Sequence, residues 1–314
     1  MKALIMPIGI VISILLGLLF PNIATFLTHN SIDNLMIVVM FIIYGIKINF
    51  KDFDFSPSQI RIIILAIILN LIVAPFICKF IGSFGLSTYF LSGLLLVSLT
   101  PPTLASSVLF SEASGGEVPT SILLTVILNF VSIITIPIML GIIIPVSKGH
   151  SVSMFFMFVT LVVLILIPYV AGMIFAKIKK LKTRNIFIKF GPMVALFIIV
   201  FASLGSSKSS IFQLRISELL WLIFMALIIN LAFFLIIFLV TNILKVPTKA
   251  SKALIFSCGT KTLPMSLILI GLMAFPNADA IVAAIVYYFT QLISGSIVAA
   301  LLHRYKKFKR IIHN

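Results

Sequence analysis

Apolar runs close to twenty residues long recur along this chain, separated by short polar connections. About 20 apolar residues, rising 1.5 Å each in a helix, cross the hydrocarbon core of a bilayer. On that measure the runs predict ten spans, at 3–20, 32–49, 60–82, 87–110, 118–145, 153–176, 185–206, 217–244, 249–275 and 279–302. The expected class is an all-α membrane protein with ten transmembrane helices. Two runs are interrupted where a span should be apolar: Ser98-Leu99-Thr100-Pro101-Pro102-Thr103-Leu104-Ala105-Ser106-Ser107, and Ser257-Cys258-Gly259-Thr260-Lys261-Thr262-Leu263-Pro264. Unwound backbone survives at membrane depth only where protein or a watery cavity satisfies its polar groups. A matched pair of such breaks points to the binding site of a secondary transporter.

The breaks lie about half a chain apart, and other features keep that spacing. Ala66-Ile67-Ile68-Leu69-Asn70-Leu71 returns 160 residues later as Ala226-Leu227-Ile228-Ile229-Asn230-Leu231. Ile/Leu-rich helices resemble one another by chance, but here the Asn pair and the break pair share one offset. The expected organisation is two five-helix repeats in one membrane-embedded domain, residues 1–146 and 147–314. Five is odd, so the second repeat enters the membrane inverted.

Composition agrees: 61% of the 314 residues are hydrophobic, 10% are charged, and mean hydropathy is +1.30. The formal charge of +16 suggests basic loops at an anionic cytoplasmic leaflet, not nucleic acid. Eighteen of the 23 Lys and Arg fall in one alternating set of connections: the N-terminus, 47–61, 111–117, 177–189, 245–252 and the C-terminal tail. The opposite set holds Lys79, Lys148, Lys208 and Arg215, which leaves Lys261 inside a span. The bias requires an even span count and places both termini in the cytoplasm of a multi-pass protein of the plasma membrane. Lys2 and the run after it are span-length with no A-x-A-like cleavage site following, so a first span is expected and not a signal peptide.

Little side-chain chemistry is available at membrane depth. The carboxylates Asp33, Asp52, Asp54, Glu112, Glu117, Glu218 and Asp279 sit in loops or at span ends, and the four histidines lie outside the apolar runs. An enzyme active site or a resident metal cluster has no material there. Cys78 and Cys258 offer no disulfide framework. Lys261 is the exception, since an intramembrane charge costs roughly 2.5–3.5 kcal/mol and needs a partner or a cavity. It could meet an anionic substrate, replace a coupling cation, or pin the break by bonding backbone carbonyls. In the first break Pro101-Pro102 removes two donors, and Thr103, Ser106 and Ser107 offer hydroxyls at a new helix start, which favours anions. Ser121, Thr125 and Asn129, at i, i+4 and i+8, form one polar stripe with Thr120 nearby. The stripe serves either a site or helix–helix packing.

With these residues in view, the chain resembles the bile acid/sodium symporter superfamily over all ten spans. Ser98 to Val108, then Gly115-Gly116-Glu117-Val118 and Ser121-Ile122-Leu123-Leu124-Thr125, are similar to that family's Cys-Pro-Gly-Gly-Thr-Ala-Ser-Asn-Val, Gly-Asp-Val and Ser-x-x-x-Thr run. Asn70, five residues before Pro75, falls where the family has Gln. The resemblance implies inverted repeats, panel and core domains, two crossing broken helices, and transport of organic anions, often with sodium. It implies that Ser106, Ser107, Ser121 and Thr125 line a first cation site. Asn70 and the stretch Ser257, Gly259, Thr260, Lys261 and Thr262 would serve a second. The departures are sharp: Ser257 stands where the family has its sodium-binding Glu, Lys261 where it has Gln, and Ser107 where it has Asn.

The expectation is a carrier of a small organic anion, working by alternating access without two-sodium coupling because Lys261 stands in for a cation. Proton coupling through Lys261 and facilitated exchange are the alternatives, and no cofactor beyond sodium or a proton as coupling ion is expected. The competing readings are a permease like the auxin efflux carriers, arsenite efflux, for which Cys258 alone is poor material, and a non-transporting scaffold or sensor. A scaffold has no need of costly polar breaks, and no channel filter motif is present. Apart from the solute, the bilayer is the one expected partner.

Overall fold

The computed structural model describes residues 2–48, 53–143, 153–179, 186–212, 214–272 and 278–312. Among them the chain is helical and contains no strand. The helices are α1 (Lys2–Leu19), α2 (Pro21–His29), α3 (Ile32–Ile46), α4 (Pro57–Ile67), α5 (Ala74–Gly82), α6 (Thr88–Leu99), α7 (Leu104–Ser114) and α8 (Val118–Ile143). The second half holds α9 (Met154–Leu161), α10 (Ile167–Lys179), α11 (Ile186–Ser206), α12 (Lys208–Ile211), α13 (Ile216–Ile243), α14 (Thr248–Gly259), α15 (Leu263–Leu272) and α16 (Ala278–Ile312). A π-helical turn at Ile68–Val73 joins α4 to α5, and another at Val162–Leu166 joins α9 to α10.

Seven of these helical stretches are long and apolar enough to cross a membrane, or up to nine if each of two sharply bent pairs is one span. The pairs are α1 with α2, bent by 98°, and α6 with α7, bent by 71°. Helices lie at each of the expected positions, but the expected count of ten is not reached on this measure, since α3 is only 15 residues long, shorter than a full span. The helix α2 was not expected. Pro21-Asn22, Thr25 and Thr28 dilute its hydropathy, yet Pro21 at its first position presets helical φ. The last helix also runs ten residues past the expected end, to Ile312. The proposed boundary between repeats at 146/147, the basic stretch 180–185 and Lys148 lie outside the described residues.

Two sets of helices pack within themselves. In one, α1, α2 and α3 lie against α11, and α3 against α10. Glycine lets the backbones touch. A methyl group on Gly45 would collide with the Tyr169 carbonyl, and one on Gly172 with the Ile42 carbonyl. Gly17 and Gly205 do the same for α1 and α11, where either methyl would meet main chain of the facing helix. Small residues of this kind are what let membrane helices approach without a hydrophobic drive between them. In the other set, α16 lies against α6, α7 and α13, while α14 packs on α7, α8 and α13.

The second break is milder than the first. Thr248–Leu272 runs on as one span, interrupted only at Thr260–Thr262, and Ser257, Cys258 and Gly259 are the last helical residues of α14, not part of an unwound loop. It is also wrapped in protein: from Ala250 to Met265 every residue is buried.

Candidate functional site

Thr100–Thr103, between α6 and α7, and Thr260–Thr262, between α14 and α15, meet in the middle of the second helix set. Thr262 donates its backbone N–H to the Pro101 carbonyl at 3.0 Å. The Thr103 hydroxyl donates to the Lys261 carbonyl at 3.3 Å, and the Thr100 hydroxyl to the Thr262 carbonyl at 3.4 Å. Each break leaves carbonyls that no helix satisfies, and the other break supplies donors.

Side-chain amides take most of the rest. Asn70 Nδ2 donates to the Cys258 carbonyl at 2.7 Å, and Asn230 Nδ2 to the Gly259 carbonyl at 3.2 Å. Gln291 clasps Lys261 from both sides, accepting its N–H at 2.8 Å and donating to its carbonyl at 2.8 Å. Asn129 performs the matching task at the first break, donating to the Pro102 carbonyl at 3.2 Å and to the Thr125 carbonyl at 2.7 Å. The Ser294 hydroxyl is bonded to Asn230 Oδ1, which orients that amide.

Lys261 is fully buried, and its Nζ donates to two main-chain carbonyls, Asn70 O at 2.8 Å and Thr100 O at 2.9 Å. The Phe233 ring lies 5.6 Å from it, at cation–π range. Why these two carbonyls are available can be read from the sequence. In the π-helical turn the Ala74 N–H reaches back five residues to the Leu69 carbonyl. The next donor in that pattern would be residue 75, which would bond Asn70 O, but Pro75 has no N–H. Thr100 O is freed in a different way, because the helix stops there and Pro101-Pro102 follow. Pro75 and the Pro101-Pro102 pair thus expose two oxygens, and Lys261 Nζ bridges them. Main-chain carbonyls are also the donor class that holds alkali cations in proteins.

The hydroxyls expected to line a first cation site do converge. Ser107 and Thr125 share a hydrogen bond of 2.9 Å, and Ser121 and Ser257 another of 2.9 Å. Ser107 also donates to the Thr103 carbonyl at 2.8 Å, and Thr260 to the Phe256 carbonyl at 2.8 Å. Ser106 is completely buried, and its Oγ has no hydrogen-bond partner, like Asn70 Oδ1. Among the described residues no carboxylate joins this cluster. A pair of monovalent cations would therefore find neutral, mutually bonded oxygens beside a fixed positive charge, which is a poor fit.

Of the residues singled out in the sequence, Asn70, Thr103, Ser107, Ser121, Thr125, Asn129, Ser257, Gly259, Lys261 and Thr262 are tied by these bonds into one region, with Thr260 between them, while Ser106 is buried without a bond to it. The polar stripe of α8 is part of it through Ser121, Thr125 and Asn129, while Thr120, also buried, accepts instead from Gln59 of α4 at 3.1 Å. Sequence reasoning missed Gln291, Asn230 as a site residue, Ser294 and Thr100. An isolated amide in an otherwise apolar span was the available signal for the first two.

A separate feature lies between the two helix sets. A cavity of about 470 Å³ is bounded on one side by Thr28, Asp33, Thr160 and Ser203, and on the other by Ile268 and Ile281. Lys261 is not among its lining residues, so the structure does not present the ammonium to a solute in this chamber.

Comparison with known proteins adds the family. Two rice proteins, from Oryza sativa subsp. indica and subsp. japonica, both called "Probable sodium/metabolite cotransporter BASS4, chloroplastic", are each 25% identical to this chain over 168 residues. That stretch is 53% of this chain and only 40% of each relative. The model of the SBF-like CPA transporter family matches residues 5–304. With a match over nearly its whole length, and with paired breaks buried where a carrier's site is expected, the chain belongs to the SBF-like CPA transporter family.

Proposed function

We propose that this transporter moves a small organic solute by alternating access between its two helix sets, with Lys261 as a built-in cation in place of coupling sodium. The observation that carries the reading is the ammonium seated on Asn70 O and Thr100 O. A sodium ion in that position would use the same oxygens, and Lys261 fills it with a charge that cannot diffuse away. Of the roles open from sequence, replacing a cation is favoured over meeting an anionic substrate, since Lys261 is sealed from the cavity.

Several features support the ten-span inverted repeat with panel and core. Counting α3 and both bent pairs as spans gives five segments on each side of 146/147. The helix set containing α1, α3, α10 and α11 is then the panel. Its two glycine contacts interchange under the repeat, because α1 and α3 of the first half correspond to α10 and α11 of the second. Each break is steadied by an amide from the last helix of its own half, Asn129 on α8 and Gln291 on α16. With both termini cytoplasmic by charge bias, the cavity mouth at Thr28, Asp33 and Ser206 faces outward.

Reconstitution into liposomes tests the reading. Uptake should proceed without a sodium gradient, and Lys261→Gln should abolish it while leaving the melting temperature less affected. Strict sodium dependence of the unaltered protein would refute the tethered-cation role. Uptake driven by an imposed pH gradient would instead mean that Lys261 exchanges its proton across the membrane.

A further inference from the structure

The cavity between the helix sets has a charge of its own. Its polar lining is Thr28, Asp33, Asn34, Thr160 and three serines at the end of α11, and Asp33 is the one ionisable side chain among its described lining residues. Backbone N–H groups at the start of α3 support its carboxyl; Oδ1 is turned into the protein without a hydrogen-bond partner, which leaves the other oxygen for the chamber. Lys208 lines a neighbouring pocket with Phe212 and lies 5.6 Å from that ring's centroid. No ion pair forms between Lys208 and Asp33. The other walls, Ile37, Leu164, Ile199, Ile268 and Ile281, are aliphatic, so little competes with Asp33 for a charged guest.

We infer that this cavity selects a solute carrying a cationic group, an amine or a guanidinium, and that Asp33 is its counter-charge. The inference rests on the transport reading for its biological sense and narrows it. The solute is an amine or a zwitterion whose charged nitrogen docks at Asp33 while its apolar part lies on the aliphatic wall. An organic anion without such a nitrogen would meet a carboxylate and, among the described lining residues, no basic side chain to offset it. A volume of about 470 Å³ suits a small molecule, not a polymer.

Thiol labelling reads the charge of the chamber directly. Thr28 lines the cavity and is exposed, whereas both native cysteines are fully buried, so Thr28→Cys gives a single reactive thiol. Its labelling rates with cationic trimethylammonioethyl and anionic sulfonatoethyl methanethiosulfonate are compared, each normalised to a free thiol. The cationic reagent should be favoured by about tenfold, since a nearby unit charge acts with opposite sign on the two probes. Adding Asp33→Asn should bring the ratio to about one. Butylammonium, but not butyrate, should slow labelling by neutral methyl methanethiosulfonate, and only while Asp33 is present. A ratio near one in the Asp33 protein, a preference that survives Asp33→Asn, or protection by butyrate would overturn the assignment. Labelling needs no ion gradient and no turnover, so it can succeed even where the tethered-cation reading fails in the uptake assay.

Discussion

Lys261 is held by geometry that a single substitution can take apart. Lys261→Met leaves Asn70 O and Thr100 O buried without a donor, at about 1–3 kcal/mol each, partly offset because a desolvated charge is also removed. A fall of about 5 °C in melting temperature is expected, at roughly 2–4 °C per kcal/mol. Lys261→Ala makes a sharper test because it also vacates volume beside the two carbonyls. Sodium should then raise the melting temperature of the variant and leave the unaltered protein unchanged. Equal sodium effects on both would remove the cation-site interpretation. These residues were legible in sequence because a polar side chain in an apolar run is costly and so stands out. Their partners were harder to see, since Asn70 O and Thr100 O are backbone atoms that any residue carries. Only the rule that a proline five residues on removes the π-helical donor singles out Asn70 O. Asp33 was passed over for the opposite reason. It sits at a helix start, where acids are ordinary, and only packing shows that it faces a chamber.

At the level of elements, the glycine contacts are the clearest dependence on close approach. Gly45→Ala and Gly17→Ala should each destabilise the protein by about 1–3 kcal/mol, because the new methyl meets backbone that cannot swing aside. Gly271→Ala is the control, as nothing lies within 4 Å of a methyl there. In a helix that change should be neutral or stabilising by up to about 1 kcal/mol. Melting curves in detergent would separate the two classes. Span positions were readable from hydropathy alone, since hydrocarbon permits little besides a helix. Bends were not: the Pro101-Pro102 break turns the chain by 71°, whereas the equally polar 257–264 stretch continues within one span and is not among the sharply bent pairs. The second is held on several sides by Asn70, Asn230, Gln291 and Thr103, and these partners come from distant parts of the sequence.

For the molecule as a whole, the departures from the superfamily's pattern should be reversible as a set. Ser257→Glu with Lys261→Gln returns both positions to the residues the resemblance leads one to expect. The double variant is expected to acquire sodium-stimulated uptake, and Ser257→Glu alone is not, because the ammonium would occupy the carboxylate's reach. Uptake measured across a sodium titration for the three proteins decides this.

If Lys261 serves as the proposed tethered cation, its seat on two backbone oxygens also sets what the carrier can accomplish energetically. A tethered ion has the same concentration on both sides of the membrane, so no gradient of it exists to drive accumulation. If its proton stays in place, an uncharged or zwitterionic solute can only be equilibrated, and a charged one follows the membrane potential, worth about 2.3 kcal/mol per charge per 100 mV. The positive charge would also remain on the carrier when it returns empty, a step that is electrically silent in a carrier whose cations have left. Voltage should therefore change the rate of the empty return, and solute exchange, which skips that step, should respond less than net uptake.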